Sequence, residues 1–113
     1  MTRHQTPLPR RDDPALLGRL VGGDVAAEAE VVAAAADSGS VGVVVAAAVL
    51  TGSSEHLVRA AALARGTKER QLVVLARAHV EGATELFDGL VRDHLAGYPD
   101  HLVAAWIATR PMH

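Results

Sequence analysis

The chain has 113 residues, of which 50% are hydrophobic, and its formal net charge is −2. This length is enough for one compact domain and too short for two. The chain contains no cysteine, which excludes disulfides, thiol nucleophiles and cysteine-bound zinc. The near-neutral charge argues against a nucleic-acid-binding protein, because such a protein needs a concentrated basic face.

The first segment, residues 1–13, combines prolines and arginines with no apolar run. Such a composition cannot bury enough surface to order itself, so we predict a flexible tail. Two acidic residues follow Arg10 and Arg11 where the apolar part of an export signal should begin, which argues against a twin-arginine signal. The predicted folded domain therefore runs from residue 14 to residue 110.

Turn signals and apolar spacing predict seven short helices. Residues 41–50, VGVVVAAAVL, are too few to cross a membrane, which takes about 20 residues. We expect a buried helix here, with a buried strand as the local alternative because several of the residues are β-branched. The clearest amphipathic pattern begins at Thr84, where apolar residues recur every three or four positions. The predicted helices cover residues 14–21, 24–37, 41–51, 54–65, 68–81, 84–96 and 100–109.

Glycine recurs at a fixed interval of 30 residues, at Gly22, Gly52 and Gly82. Two residues after each glycine stands a side chain that can cap a helix N-terminus; these are Asp24, Ser54 and Thr84. The repeat blocks are 22–51, 52–81 and 82–111. A period near 30 with two helices in each block predicts an all-α fold, a short right-handed α-solenoid of about three antiparallel hairpins.

This repeat pattern resembles the tetratricopeptide repeat family. The small, large apolar, proline and tryptophan positions of that pattern are matched by Gly82, Phe87, Val91, Leu95, Pro99 and Trp106. The run GTKERQLVVLARAHVEGATELFDGLVRDHLAGYPDHLVAAWIA is similar to actinobacterial proteins of the tetratricopeptide repeat protein thirty-eight type. The matching residues are Thr67, Glu69, Arg70, Gly82, His94, Leu95 and Pro99.

The resemblance covers about residues 14–109, and the chain resembles only the N-terminal part of these longer proteins. Residues 38–40, Ser-Gly-Ser, stand where the family usually carries Asp-Pro. The first turn therefore differs from the family pattern. The resemblance implies protein interaction through a groove lined by the first helix of each repeat. It implies no catalytic residues.

The sequence predicts no metal, cofactor or catalytic set. No two of the six histidines have the spacing of a helical zinc motif. His94 and His101 are separated by a Gly-Tyr-Pro turn, so we place them on different helices. We therefore predict a non-enzymatic protein.

The last predicted helix carries four large apolar residues with no following hairpin to cover them. This face predicts a partner-binding surface, which is covered either by a second copy of the chain in a homodimer or by a helix of another protein. We expect a cytoplasmic protein that binds neither nucleic acid nor membrane. The residues of the face are Leu102, Val103, Trp106 and Ile107.

Two other interpretations remain open. One is a small helical ligand-binding or cofactor-free enzyme domain, with a cavity near His79, Arg77 and His94. The other is a truncated remnant of a longer protein, with no activity of its own.

Overall fold

A computed structural model describes residues 14–111, and the predicted tail at residues 1–13 lies outside this range. The described residues form seven helices and no strand. The all-α prediction is therefore confirmed for this part of the chain, and no helix in it has the length and apolarity to span a membrane. The helices are α1 (Pro14–Val21), α2 (Val25–Ala34), α3 (Val41–Thr51), α4 (Ser54–Leu63), α5 (Gly66–Glu81), α6 (Thr84–Gly97) and α7 (Leu102–Ala108).

The central helix is α3, which packs against α2, α4, α5 and α7. Every residue from Val41 to Val49 is buried. A helix that is apolar on all sides is stable only when neighbours surround it. The buried-helix prediction for this run is confirmed, and its strand alternative is wrong.

Some of the predicted helix caps and terminal glycines are present in the structure, and others are not. Asp24 caps α2, because its Oδ1 atom accepts a hydrogen bond from the backbone N–H of Ala26 at 2.9 Å. Gly52 and Gly82 end α3 and α5 with φ of 73° and 72°, a left-handed conformation that favours glycine. In the first block, however, the glycine with positive φ is Gly23 rather than Gly22.

The predicted caps at Ser54 and Thr84 are wrong, because each of these residues is the first helical residue instead. After Gly52 ends α3, only Ser53 connects it to α4, so Ser53 takes the cap position. Ala83 takes the equivalent position before α6. The cap that the repeat pattern missed is Ser40, whose Oγ atom accepts a hydrogen bond from Val43 N–H at 3.2 Å.

The first and last helices contact each other, since α7 packs against α1 as well as α3, α5 and α6. Gly42 in α3 lies against both helices, since an added Cβ there would lie 2.8 Å from Cδ1 of Leu17 and 3.5 Å from Cγ2 of Val103. Repeats of an open solenoid contact only their neighbours. The contact of α1 with α7 departs from that expectation.

Arg59 connects α4 to the end of α2. Its guanidinium group donates hydrogen bonds to the backbone carbonyls of Ala35 and Ser38, the second at 2.7 Å. These carbonyls follow the last turn of α2, which contains no basic residue of its own. Arg59 therefore holds the connection between α2 and α3 against α4.

Candidate functional site

The apolar face predicted for partner binding is largely covered within the chain. Val103, Trp106 and Ile107 are buried, with Trp106 only 8% exposed, whereas Leu102 is 55% exposed. The guanidinium carbon of Arg110 also lies 4.8 Å from the centre of the Trp106 ring. The predicted open end is absent because α1 returns to pack on α7, a non-local contact that the repeat pattern does not contain.

The two histidines of the alternative cavity make different contacts. The His79 ring meets Phe87 edge-on with ring centres 5.2 Å apart, and its Nε2 atom lies 3.4 Å from the carbonyl oxygen of Arg110. His94 instead contacts Gln71 and His101. The structure therefore brings His94 together with His101 rather than with His79.

His94, on α6, is the middle member of a hydrogen-bonded chain of side chains. Its Nδ1 atom lies 2.7 Å from Oε1 of Gln71, and its Nε2 atom lies 2.7 Å from Nδ1 of His101. Because an amide oxygen can only accept, Nδ1 of His94 carries the proton and Nε2 accepts from His101. Among residues 14–111, Nε2 of His101 is left without a hydrogen-bond partner and is an acceptor open to solvent.

The surroundings of this chain keep both rings neutral. Burial, with smaller electrostatic contributions from Lys68 and His94, lowers the pKa of His101 to about 4. Burial also lowers the pKa of His94, with a smaller contribution from Lys68. The Lys68 ammonium lies 5.9 Å from the centre of the Tyr98 ring, which is itself 5.1 Å from the His94 ring.

Two depressions lie on either side of the histidine pair. The α1–α7 cleft has a volume of about 280 Å³, and His101 lines it together with residues of α1, α3, α5 and α7. The α5–α6 groove has a volume of about 320 Å³, and His94 lines it. The other lining residues of the groove are Thr67, Arg70, Gln71, Val74, Leu90 and Asp93.

Metal binding finds no support in the described part of the chain. No group of three or more His, Asp or Glu side chains among residues 14–111 is arranged to hold a metal ion. In addition, His94 and His101 share a direct hydrogen bond, so the facing nitrogens are already occupied.

The histidine pair was missed at the sequence level for a geometric reason. The two residues were predicted on different helices; His94 lies in α6, whereas His101 is the cap residue that precedes α7 and not part of that helix. The turn at residues 98–100 nevertheless folds His101 back onto His94. The sequence feature that could have predicted the pair is the Gly-Tyr-Pro turn, because a tight turn brings the residues before and after it close together.

Comparisons of this chain with protein-family models, with curated proteins and with solved structures each returned no match.

Proposed function

We propose that the chain is a non-enzymatic protein-interaction module that associates with a second copy of itself through the α5–α6 groove. The observation that carries this proposal is the exposure of large apolar side chains on these adjoining helices. Val74, which lines the groove on α5, is 50% exposed, and Leu86, elsewhere on α6, is 57% exposed. Exposed apolar surface is typical of protein interaction sites.

The charges of the groove favour a second copy as the occupant. Arg70 and Asp93 both line it, and neither forms an ion pair within residues 14–111. A two-fold axis along the groove would lay α5 of one copy on α6 of the other. Arg70 would then face Asp93 of the second copy, and Val74 would face its Leu90, so the surface complements itself.

This proposal retains the predicted homodimer but assigns its interface to the α5–α6 groove instead of the apolar face of α7. Val103, Trp106 and Ile107 already pack inside the chain, and their exposure in an interface would require α7 to leave α1. The groove needs no such rearrangement, because Val74 is exposed and Leu90 is partly exposed in the folded chain.

The tetratricopeptide-like hairpin arrangement and a cytoplasmic setting belong to the same proposal. Packing of α2 on α3, α3 on α4 and α5 on α6 supports a succession of helical hairpins. In this proposal the contact of α1 with α7 closes the short stack, so that the outer face of α5 and α6 remains for interaction.

The test is the oligomeric state of the chain, measured by light scattering over a concentration series. We expect a dimer whose dissociation constant rises strongly in the Val74→Asp variant, because this change buries a charge in the interface. The matched control is Val25→Asp, at an exposed valine of α2 outside the groove. It should dissociate like the unmodified chain.

A charge exchange tests the pairing itself. Arg70→Asp and Asp93→Arg should each weaken association by placing like charges opposite one another, and the double variant should restore it. A chain that is monomeric at all concentrations, or a double variant no better than either single variant, would overturn the proposed interface.

A further inference from the structure

The α1–α7 cleft is small, and apolar side chains form its floor. Leu17, Leu72 and Val103 are buried beneath it and come from α1, α5 and α7. Leu102 lines its edge and is largely exposed. Its volume of about 280 Å³ lies just under the range of about 300–1,000 Å³ that is usual for small-molecule sites. A compact aliphatic group fits this floor.

The edge of the cleft carries polar groups of both signs. Lys68 and Asp100 are exposed, and neither forms an ion pair among the described residues. Glu69 also lines the cleft, but its Oε1 atom already accepts the backbone N–H of Arg65 at 2.6 Å. The cleft therefore offers one cation, Lys68, and two carboxylates, of which Asp100 makes no ion pair among the described residues and Glu69 has one oxygen held by Arg65.

His101 adds a hydrogen-bond acceptor at the same edge. Its Nδ1 proton is donated to His94, which leaves Nε2 as the atom that can accept from a ligand. The neutral state of the ring at neutral pH agrees with this role. An acceptor beside Asp100 suits a ligand group with several N–H donors, such as an ammonium.

We propose that the α1–α7 cleft binds a free amino acid with an aliphatic side chain. Lys68 receives the carboxylate of the ligand, Asp100 and Nε2 of His101 receive its ammonium, and the apolar floor receives its side chain. A simple anion would leave Asp100 facing a like charge, and a simple cation would leave Lys68 in the same position. Only a ligand with both charges satisfies both residues.

The test is a titration of the full chain with L-leucine, followed by NMR chemical shifts. We expect saturable shifts at Leu17, Leu72 and Leu102. Lys68→Met should weaken leucine binding by about tenfold to a hundredfold, the usual effect of losing a charged hydrogen bond. Asp100→Asn should weaken it similarly. Both residues are exposed, so neither change disturbs the core.

Two leucine analogues separate the charged contacts. Isocaproate lacks the ammonium, so its weaker binding should respond to Lys68→Met and not to Asp100→Asn. Isoamylamine lacks the carboxylate and should show the opposite pattern. Arg92→Met, an exposed cation of α6 that lines neither depression, is the matched control and should bind leucine normally.

The absence of saturable shifts at the cleft residues, or leucine binding that neither variant changes, would overturn this proposal. The cleft and the α5–α6 groove share no lining residue. A failure of leucine binding is therefore distinguishable from a failure of self-association, which is measured on different variants.

Discussion

Acidification should destabilise this protein through the His94–His101 pair. The pKa of His101 is about 4 in the folded chain, compared with an ordinary value of 6.5. As pH falls, the unfolded chain therefore binds a proton before the folded chain does. The stabilising contribution of the neutral ring is complete above about pH 6.5 and is lost as pH falls toward about 4.

The magnitude follows from the interval between the two pKa values. An interval from 6.5 to about 4 corresponds to about 3 kcal/mol for a fully buried ring. The His101 side chain is only partly buried, and solvent reduces the effect. We expect the free energy of unfolding to fall by about 1–2 kcal/mol between about pH 7 and pH 5.

The measurement is urea unfolding at both pH values, followed by circular dichroism and by Trp106 fluorescence. Arg19 donates hydrogen bonds to Asp24 and Glu30 and lowers their pKa values below 3.8 and 4.5, so these carboxylates stay ionised in this interval. His101→Asn keeps a donor for His94 and removes the titrating ring.

His101→Asn should therefore remove the His101 part of the loss in unfolding free energy on acidification, while His94, whose pKa is also lowered by burial, keeps its own part. His56→Asn, on α4 and outside the histidine pair, is the control for losing a histidine and should retain the loss. If the free energy of unfolding fell equally in the unmodified chain and in His101→Asn, the assignment of the pH dependence to this pair would be refuted.

Three further changes test the fold by thermal unfolding. Arg59→Met removes the hydrogen bonds to Ala35 and Ser38 and should lower the free energy of unfolding by about 2–3 kcal/mol, which lowers Tm by roughly 10–20 °C. Arg59→Lys should recover part of this loss. An unchanged Tm in Arg59→Met would contradict the role of Arg59. Gly52→Ala should lower the free energy of unfolding by about 1 kcal/mol, because φ is positive at this position. Gly89→Ala lies inside α6 with open space around an added Cβ and should raise the free energy of unfolding by about 0.5–1 kcal/mol. Changes of the same sign in the two variants would contradict the assigned conformations. Leu57→Ala, at a buried position of α4, should lower the free energy of unfolding by about 2–5 kcal/mol. Val58 beside it is exposed, so Val58→Ala should lower it by less than about 0.5 kcal/mol. Similar losses in the two variants would contradict the orientation of α4.

The elements with local causes were predictable from the sequence. Seven helices were predicted and seven are present in residues 14–111. The cap at Asp24 and the left-handed ends at Gly52 and Gly82 depend on residues within a few positions of one another. The buried helix at Val41–Thr51 follows from a run that has no polar face.

The functional surfaces required the tertiary structure. An apolar stripe shows that a helix must be covered, but it does not identify the element that covers it. Trp106 is buried because α1 returns to α7 beside Gly42, and His94 meets His101 because a turn reverses the chain between them. Local turn and periodicity signals reach only a few residues along the chain, whereas these contacts depend on the packing of whole helices that are distant in sequence or reversed in direction.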